Sequence, residues 1–455
     1  MAVWSEVKFS DINNSYGRLD SEYYRPEYLE SDKILSTFDI YKLKEVSHKI
    51  DVGFVGTMKR YYCDNGIPLI QTQQVKEYFL NMNDFIQITP EFHKKLLKSQ
   101  INRGDLLIAR SGSFGKASIY LENEIVNSSD IIIIKIDENK INPFYVLAFL
   151  NSKNGSSQLI RFSSGGLQGH VNLTILEDFK IPKIKIEVQN HIASLVLKSY
   201  ELTKKSQSLY TQAQEILERE LGLDKLVFDK PLSYEARLSE VVGNNRADAD
   251  YYQIPFRSLG NHLKNLKTIP LGKMATIIKG IEVGSDSYVE SGIPFLRVSN
   301  IKEKGISLGN SDKYISSRLY SALKCYQPQV GELLLTKDGT PGVCYTVTDE
   351  IEGIVSGGIV RLQLHDNSFP KEYLSLVVNS RICKMQIDQE CSGALIVHWK
   401  PNSIRKLKIP VLSDSTMKEL GRLVSESKKA LTESRQLLEQ AKRRVEELIE
   451  QAVQK

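Results

Sequence analysis

The chain is short of the residues that crosslink or bind metals. Its five cysteines (Cys63, Cys325, Cys344, Cys383 and Cys391) are an odd number and include no C-x-x-C pair. This pattern excludes a disulfide scaffold and a cysteine zinc finger, and it suits a reducing compartment. Seven histidines are scattered with no H-x-x-x-H spacing, so a histidine metal site is not expected. No long apolar run exists either. The most apolar stretch, Ile131–Ile136, is interrupted by Lys135 and falls far short of the roughly 20 residues of a membrane span. Residues 1–14 carry Glu6, Lys8 and Asp11 where a secretory signal needs an apolar core. A strong charge of one sign is also missing. Sixty Lys and Arg against 55 Asp and Glu leave a net of +5, which permits a polyanionic partner without requiring one. A cytoplasmic protein is expected.

What is present is an ordinary globular composition, 41% hydrophobic and 25% charged, spread over 455 residues. That length suggests two or three domains. The chain also repeats itself. Arg18-Leu19-Asp20-Ser21-Glu22-Tyr23-Tyr24 is echoed by Arg246-Ala247-Asp248-Ala249-Asp250-Tyr251-Tyr252, an offset of 246 − 18 = 228. Ile67-Pro68 returns as Ile293-Pro294, and Gly104-Asp105-Leu106-Leu107 as Gly331-Glu332-Leu333-Leu334, at offsets of 226 and 227. Asn151-Ser152 with Asn379-Ser380, His170 with His398, and Ile181-Pro182 with Ile409-Pro410 again give 228. A near-constant offset over most of the chain marks a tandem duplication.

Each copy has the same order of elements. Short β-rich runs (Gly104 to Ala109, Ile131 to Ile136, Glu332 to Thr336) are bounded by Gly, Ser and Asn clusters. A helix is expected after Pro143 and after its counterpart Pro370, since proline suits a first helical turn. Each copy then ends in a polar segment with an apolar stripe. Leu195, Leu202, Leu209 and Ile216 stand seven apart, as do Val424, Leu431, Leu438 and Val445. Four heptads in each of two equivalent segments predict that these stripes pair as a coiled coil. The first segment, 35 residues, would be about 50 Å long at 1.5 Å per residue. The expected fold is α+β: two tandem α/β domains separated by two long helices packed as an antiparallel coiled coil. The boundaries are residues 1–186, a central helix over 187–225, a second domain over 226–412, and a C-terminal helix over 413–455.

Motifs for catalysis are not found. Gly112-Ser113-Phe114-Gly115-Lys116-Ala117-Ser118 has the wrong spacing for a phosphate loop and no hydroxyl directly after its lysine. No serine nucleophile is assigned. Asn142-Pro143-Phe144-Tyr145 resembles the N-P-P-[YF] run of DNA methyltransferases, but the repeat keeps only the proline and an aromatic, Pro370 and Tyr373. A helix start explains both. No catalytic residue and no metal ligand is assigned.

What does recur is a set of polar, glycine-flanked loops with amide and cationic side chains. In the first copy the candidates are Lys59, Arg60, Tyr61, Gln71, Gln73, Gln74, Arg110, Ser111, Ser113, Lys116, Gln168 and His170. In the second they are Arg297, Ser299, Asn300, Lys337, Thr340, His398 and Lys400. Arg, Lys, Asn and Gln carry the donor and acceptor pairs that distinguish base edges, while Ser, Thr and backbone N–H groups suit phosphates. Framework residues agree between the copies and loop tips differ, so two copies would read two different half-sites. Two other readings stand beside this one: a coiled-coil protein scaffold that never touches DNA, and a stand-alone DNA methyltransferase or nuclease.

Taken together, residues 18–26, the Gly-Asp-Leu-Leu-Ile-Ala-Arg-Ser-Gly run at 104–112, Ser164-Gly165-Gly166-Leu167-Gln168 and the Ile-Pro exits before the heptad helices resemble the specificity subunit of Type I restriction-modification systems. The resemblance spans essentially the whole chain. It implies a non-catalytic DNA reader with two target-recognition domains, one for each half of a split, asymmetric site, with the paired helices setting the gap. It also implies two modification subunits, which bring S-adenosylmethionine and methylate adenine. Restriction subunits, where present, would bring ATP and Mg. The second copy departs from the pattern: Gly393-Ala394-Leu395 replaces Gly-Gly-Leu-Gln, and Asp338 stands in a loop that is otherwise basic.

Overall fold

A computed structural model of the chain describes residues 4–14, 18–82, 84–110, 115–163, 173–226, 233–309, 312–366, 369–391 and 397–453. The chain forms two units: Met1–Thr203 with Thr432–Lys455, and Lys204–Leu431. In the first, a five-stranded sheet has the order Ser47–Val52, Ile131–Ile136, Leu106–Ala109, Ala117–Ile119, Tyr78–Phe79. A second sheet of five short strands contains the parallel pair Ile67–Ile70 and Val126–Ser128. Ile131–Ile136 is buried on both faces except at Lys135, as its unbroken run of isoleucines requires. Lys135 donates there to both carboxylate oxygens of Asp105, at 3.2 and 2.9 Å.

The second unit repeats the plan. Its four-stranded sheet runs Ala275–Lys279, Ile359–Leu364, Leu333–Thr336, Cys344–Thr346, and the parallel pair returns as Ile293–Leu296 with Ile354–Val355. The expected strands are thus found within two residues of their predicted ends, whereas the central helix, expected over 187–225, spans Ile186–Glu220. Pro143 opens the helix Pro143–Leu150, whereas Pro370 caps Lys371–Asn379 from just outside its first turn.

The duplicated motifs turn out to be framework bonds. Arg18 grips Asp20 through two hydrogen bonds of 2.8 and 2.7 Å and lies 4.5 Å over the ring of Tyr23. Arg246 does the same to Asp248, at 2.6 and 2.6 Å, and lies 4.7 Å over Tyr251. The Asn151 side chain bonds the N–H and C=O of Ala117 at 3.0 and 2.9 Å, completing a strand edge. Asn379 completes Cys344 in the same way at 2.9 and 2.7 Å. In each unit the last strand returns to the first. Ile40–Lys42 pairs antiparallel with Lys180–Pro182, and Thr268–Pro270 with Lys408–Pro410 in the same register.

The long helices are Ile186–Glu220 and Asp414–Val453. In the first unit, Ser199 Oγ lies 2.8 Å from Ser434 Oγ, and Ser434 Oγ donates to Ser199 O at 3.0 Å. In the second, Ser206 Oγ lies 3.0 Å from Ser427 Oγ, which donates to Ser206 O at 2.7 Å. These residues correct the expected seam. Of the heptad residues, Val424 and Val445 are fully buried, but Leu195, Leu202, Leu209, Ile216, Leu431 and Leu438 are only half-buried. Ser199, Ser206 and Ala213 on one helix and Ser427, Ser434 and Ala441 on the other are buried alongside Val196, Leu217, Leu420 and Val424. Both triplets are seven apart, and they correspond at the 228 offset. Small residues hold the contact line because they let two backbones approach, and each buried hydroxyl finds a partner there.

One buried charge lies beside this seam in the second unit. Lys428 is 6% exposed, its Nζ has no hydrogen-bond partner among the described residues, and it sits 5.2 Å from the Tyr345 ring centre. Burial pushes its pKa down to about 8 from an ordinary 10.5, against smaller opposing effects of Glu372 and Cys344. The unfolded chain therefore holds a proton that the folded chain gives up between these two values. The fold is penalised below pH 8, and stability rises as pH climbs through that window. Lys428→Met should remove this rise and stabilise the protein at pH 7 by up to about 3 kcal/mol, taking 1.36 kcal/mol per pKa unit. Urea unfolding at pH 7 and pH 10 measures both effects.

Candidate nucleic-acid interface

In the first unit two candidate loops meet at one aspartate. The turn Thr72–Gln74 follows the strand Ile67–Ile70, and Thr72 Oγ1 donates to Asp130 O at 3.1 Å. Arg110, at the end of Leu106–Ala109, donates from Nη1 to Asp130 Oδ1 at 3.3 Å. Asp130 occupies the left-handed region, φ +53°, in the turn joining Val126–Ser128 to Ile131–Ile136. Arg110 is thus held in place while its side chain remains 28% exposed. Lys116 lies 3.7 Å from Glu77. A separate turn presents Lys59 and Arg60. Both are exposed, with the Arg60 guanidinium 4.7 Å over the Tyr61 ring.

The second unit gathers the equivalent loops. Lys337 N–H donates to Gly358 O at 2.9 Å, and Trp399 N–H donates to Lys337 O at 2.7 Å. Gly358 is packed so closely against Val298 that a Cβ there would fall 2.8 Å from its methyl carbon. The turn at Val298–Asn300, the loop at 337–340 and the segment at 397–400 are therefore neighbours. Asp338 organises them, accepting from Lys337 Nζ at 2.5 Å and lying 2.8 Å from His398 Nδ1. Ser299, Thr340, His398 and Lys400 are exposed.

Three candidates are corrected by this geometry. Gln74 is 2% exposed, and its Oε1 accepts the Gln71 N–H at 3.1 Å while its Nε2 donates to Asp84 O at 3.4 Å. Asn300 is also 2% exposed and accepts the Arg297 N–H at 2.8 Å while donating to Ser307 and Asp312. Both amides are spent on closing their own turns, which leaves Gln71, Gln73, Arg297 and Ser299 as the tips those turns hold up. Tyr61 is the third. It stacks on Phe92 at 3.7 Å and 10°, so its ring anchors the turn that carries Lys59 and Arg60. Ser111, Ser113, Gln168 and His170 lie outside the described residues. Missed from the sequence were Thr72 and Asp130, which fix Arg110. The Ser-Ser-Asp turn before a buried strand is the signal that pointed to Asp130.

Chemically, these surfaces can donate and accept hydrogen bonds and offer a few cations. Among the described residues, Lys59 and Lys400 have no ion-pair partner, whereas Arg110, Lys116 and Lys337 each face a carboxylate. No group of three or more His, Cys, Asp or Glu among the described residues could hold a metal ion. No described helix is long and apolar enough to cross a membrane.

Residues 36–210 match the family model of the Type I restriction modification DNA specificity domain. The match covers less than half of the chain, and that stretch is similar to the family. It takes in the turns at Lys59–Tyr61 and Gln71–Gln74, Arg110 with Asp130, and more than half of the first long helix. Among solved structures, the chain is similar to the S subunit of a Type I restriction-modification system from M. genitalium. The identity is 10%, over 91% of this chain and 96% of that one, with a TM-score of 0.46. It is also similar to the HsdS subunit from Thermoanaerobacter tengcongensis, at 13% identity over 90% and 96% of the two chains, with a TM-score of 0.28. In the specificity domain, then, the groups nearest to solvent are loop tips whose backbones are fixed by buried amides. Replacing Gln74 by Ala should destabilise the first unit by about 1–3 kcal/mol, the cost of leaving buried groups unpaired. Gln73→Ala should leave stability unchanged, and urea unfolding of the two variants separates support from tip.

Proposed function

We propose that the whole chain is the DNA-specificity subunit of a Type I restriction-modification complex. Each unit reads one half of a split, asymmetric duplex target, and the catalysis resides in partner subunits. Modification subunits would dock on the long helices with S-adenosylmethionine and methylate adenine. Restriction subunits would add ATP- and Mg-dependent cleavage. The complex would work in the cytoplasm.

One observation carries this reading. The two units share most of the framework bonds described above, yet differ at the tips that those bonds hold, and residues 36–210 match the DNA specificity domain. Gln71–Gln74 in the first corresponds to Arg297–Asn300 in the second, on the same kind of turn. A pair of identical scaffolds with unlike tips suits two unlike half-sites. The small net charge of +5 and the pairing of Arg110 and Lys337 with carboxylates both fit a subunit that binds DNA weakly alone.

Mapping N6-methyladenine across a host genome with and without the gene tests the reading. Loss of one motif of two short half-sites around a fixed gap is expected. An unchanged methylome in an actively methylating host would count against it. Binding by the complex supplies a finer test. Each phosphate contact contributes about 0.9 to the slope of log affinity against log salt. Asp338→Asn frees Lys337 and should steepen that slope by roughly one contact, and Arg60→Ala should flatten it by as much. Identical slopes for wild type and both variants would remove these loops from the interface.

A further inference from the structure

The two units differ at one place that the DNA reading does not use. In the first, Asp32 accepts from Lys180 Nζ at 2.7 Å and pairs with the Arg161 guanidinium. Arg161 is 5% exposed, lies 4.1 Å over the Tyr23 ring and donates to Tyr23 O at 2.8 Å. Gln158 exchanges two hydrogen bonds of 3.1 Å with the backbone of Lys180. Burial works against the Asp32 carboxylate, but Lys180 and Arg161 overcome it and hold its pKa below the ordinary value. This corner is built to hold a carboxylate anion.

The second unit keeps the corner and lacks the anion. Subtracting 228 aligns Gln386 with Gln158, Lys408 with Lys180, Gln389 with Arg161 and Gly260 with Asp32. Gln386 exchanges two bonds of 3.0 Å with the Lys408 backbone, and Gln389 donates to Tyr251 O at 3.1 Å, so the framework is preserved. At Gly260 a Cβ would meet nothing within 4 Å. In place of the Asp32 side chain there is a cavity of about 320 Å³, near the lower end of small-ligand pockets. Its lining includes the buried side chains of Leu259, Leu263, Trp399 and Leu407.

Charge gives the same direction. Glu390, the acidic residue of the lining, is already engaged by Ser403 Oγ at 2.7 Å. Lys406 and Lys408 line the cavity and have no ion-pair partner among the described residues. A carboxylate entering the cavity would meet these two lysines.

We infer that this cavity is a binding site for a small organic carboxylate with an apolar body, its anion taking the place beside Lys408 that Asp32 occupies beside Lys180. The apolar body would lie against Leu259, Leu263 and Trp399. The site shares Trp399 with the segment at 397–400, and it does not depend on which bases the loops read.

The chain has two tryptophans, and Trp4 is 76% exposed, so Trp4→Phe in the full-length protein leaves Trp399 as the reporter. Titration with benzoate at constant ionic strength should give a saturable change in Trp399 emission, and benzamide should bind about tenfold more weakly or not at all. That factor is the loss of roughly 1.4 kcal/mol of charge-assisted bonding. Gly260→Asp supplies the missing carboxylate internally and should abolish the benzoate response. Asp is a better helix former than Gly and has open space there, so the variant should fold. Lys408→Gln provides a second variant and should weaken benzoate but not benzamide. Equal binding of benzoate and benzamide, an unaltered titration in Gly260→Asp, or no saturable response in the parent protein would each overturn the assignment.

Discussion

Each unit depends on the return of its chain to its own beginning. Lys180–Pro182 pairs with Ile40–Lys42 after some 140 residues of intervening sheet and helix, and Lys408–Pro410 pairs with Thr268–Pro270 after a similar span. Closing so long a loop costs entropy, although that cost grows only slowly with length. It is offset by burial of Ile181 and Ile409 and by tyrosine hydroxyls. Tyr145 donates to Pro182 O at 2.7 Å and Tyr373 to Pro410 O at 2.9 Å. Burial raises both phenols far above their ordinary pKa, so these hydroxyls remain donors at any physiological pH. The closure fixes where each long helix departs, at Ile186 and Asp414. The loops strung between the closing strands are then free to vary without moving that exit.

The helix contact follows a different rule from the cores. Leucine stripes suggest an oily seam, but serine and alanine share its innermost positions with Val196, Leu217, Leu420 and Val424. A seryl pair in such a place contributes little net free energy, about 1 kcal/mol for each hydrogen bond. Its value lies in register. Ser199 with Ser434 and Ser206 with Ser427 both sum to 633 in residue number, the relation of two strands of sequence running in opposite directions. A slip by one turn would leave buried hydroxyls facing alkyl groups, at a cost greater than the bonds themselves contribute. Small polar residues therefore set alignment where the leucines supply bulk.

This contrast explains how much could be read from the sequence. The duplication, the strand positions and both long helices were legible because they are patterns of spacing, and spacing survives in a string of letters. The seam was legible only in part, since a search for apolar heptads skips serine. Loop contributions were least legible. Gln71, Gln73 and Gln74 look alike in sequence, yet only Gln74 turns inward, because its position as third residue of a tight turn lets Oε1 reach the Gln71 N–H. Asn300 repeats this at Arg297. Nor does the string show that Arg110 faces Asp130, which lies twenty residues on in another turn. A local sequence can announce a turn but not the charge that folds against it.

A duplicated chain supplies its own comparison, and the useful differences are those surrounded by agreement. Where all contacts differ, divergence says little about selection at any one residue. Around Gly260 the neighbouring backbone bonds are kept while the Asp32 carboxylate and the Arg161 guanidinium are both replaced, so the change is local and its consequence definable. The loop tips differ in the same manner: the amide under each turn is kept and the side chains above it are replaced. Ion pairing at those tips is compatible with DNA reading. An arginine already oriented by a carboxylate loses less side-chain freedom when it meets a base, and exchanging one anion for another costs less than ordering a mobile side chain. Such a surface trades raw affinity for orientation. That suits the proposed DNA reader, whose position on the duplex partner subunits would reinforce.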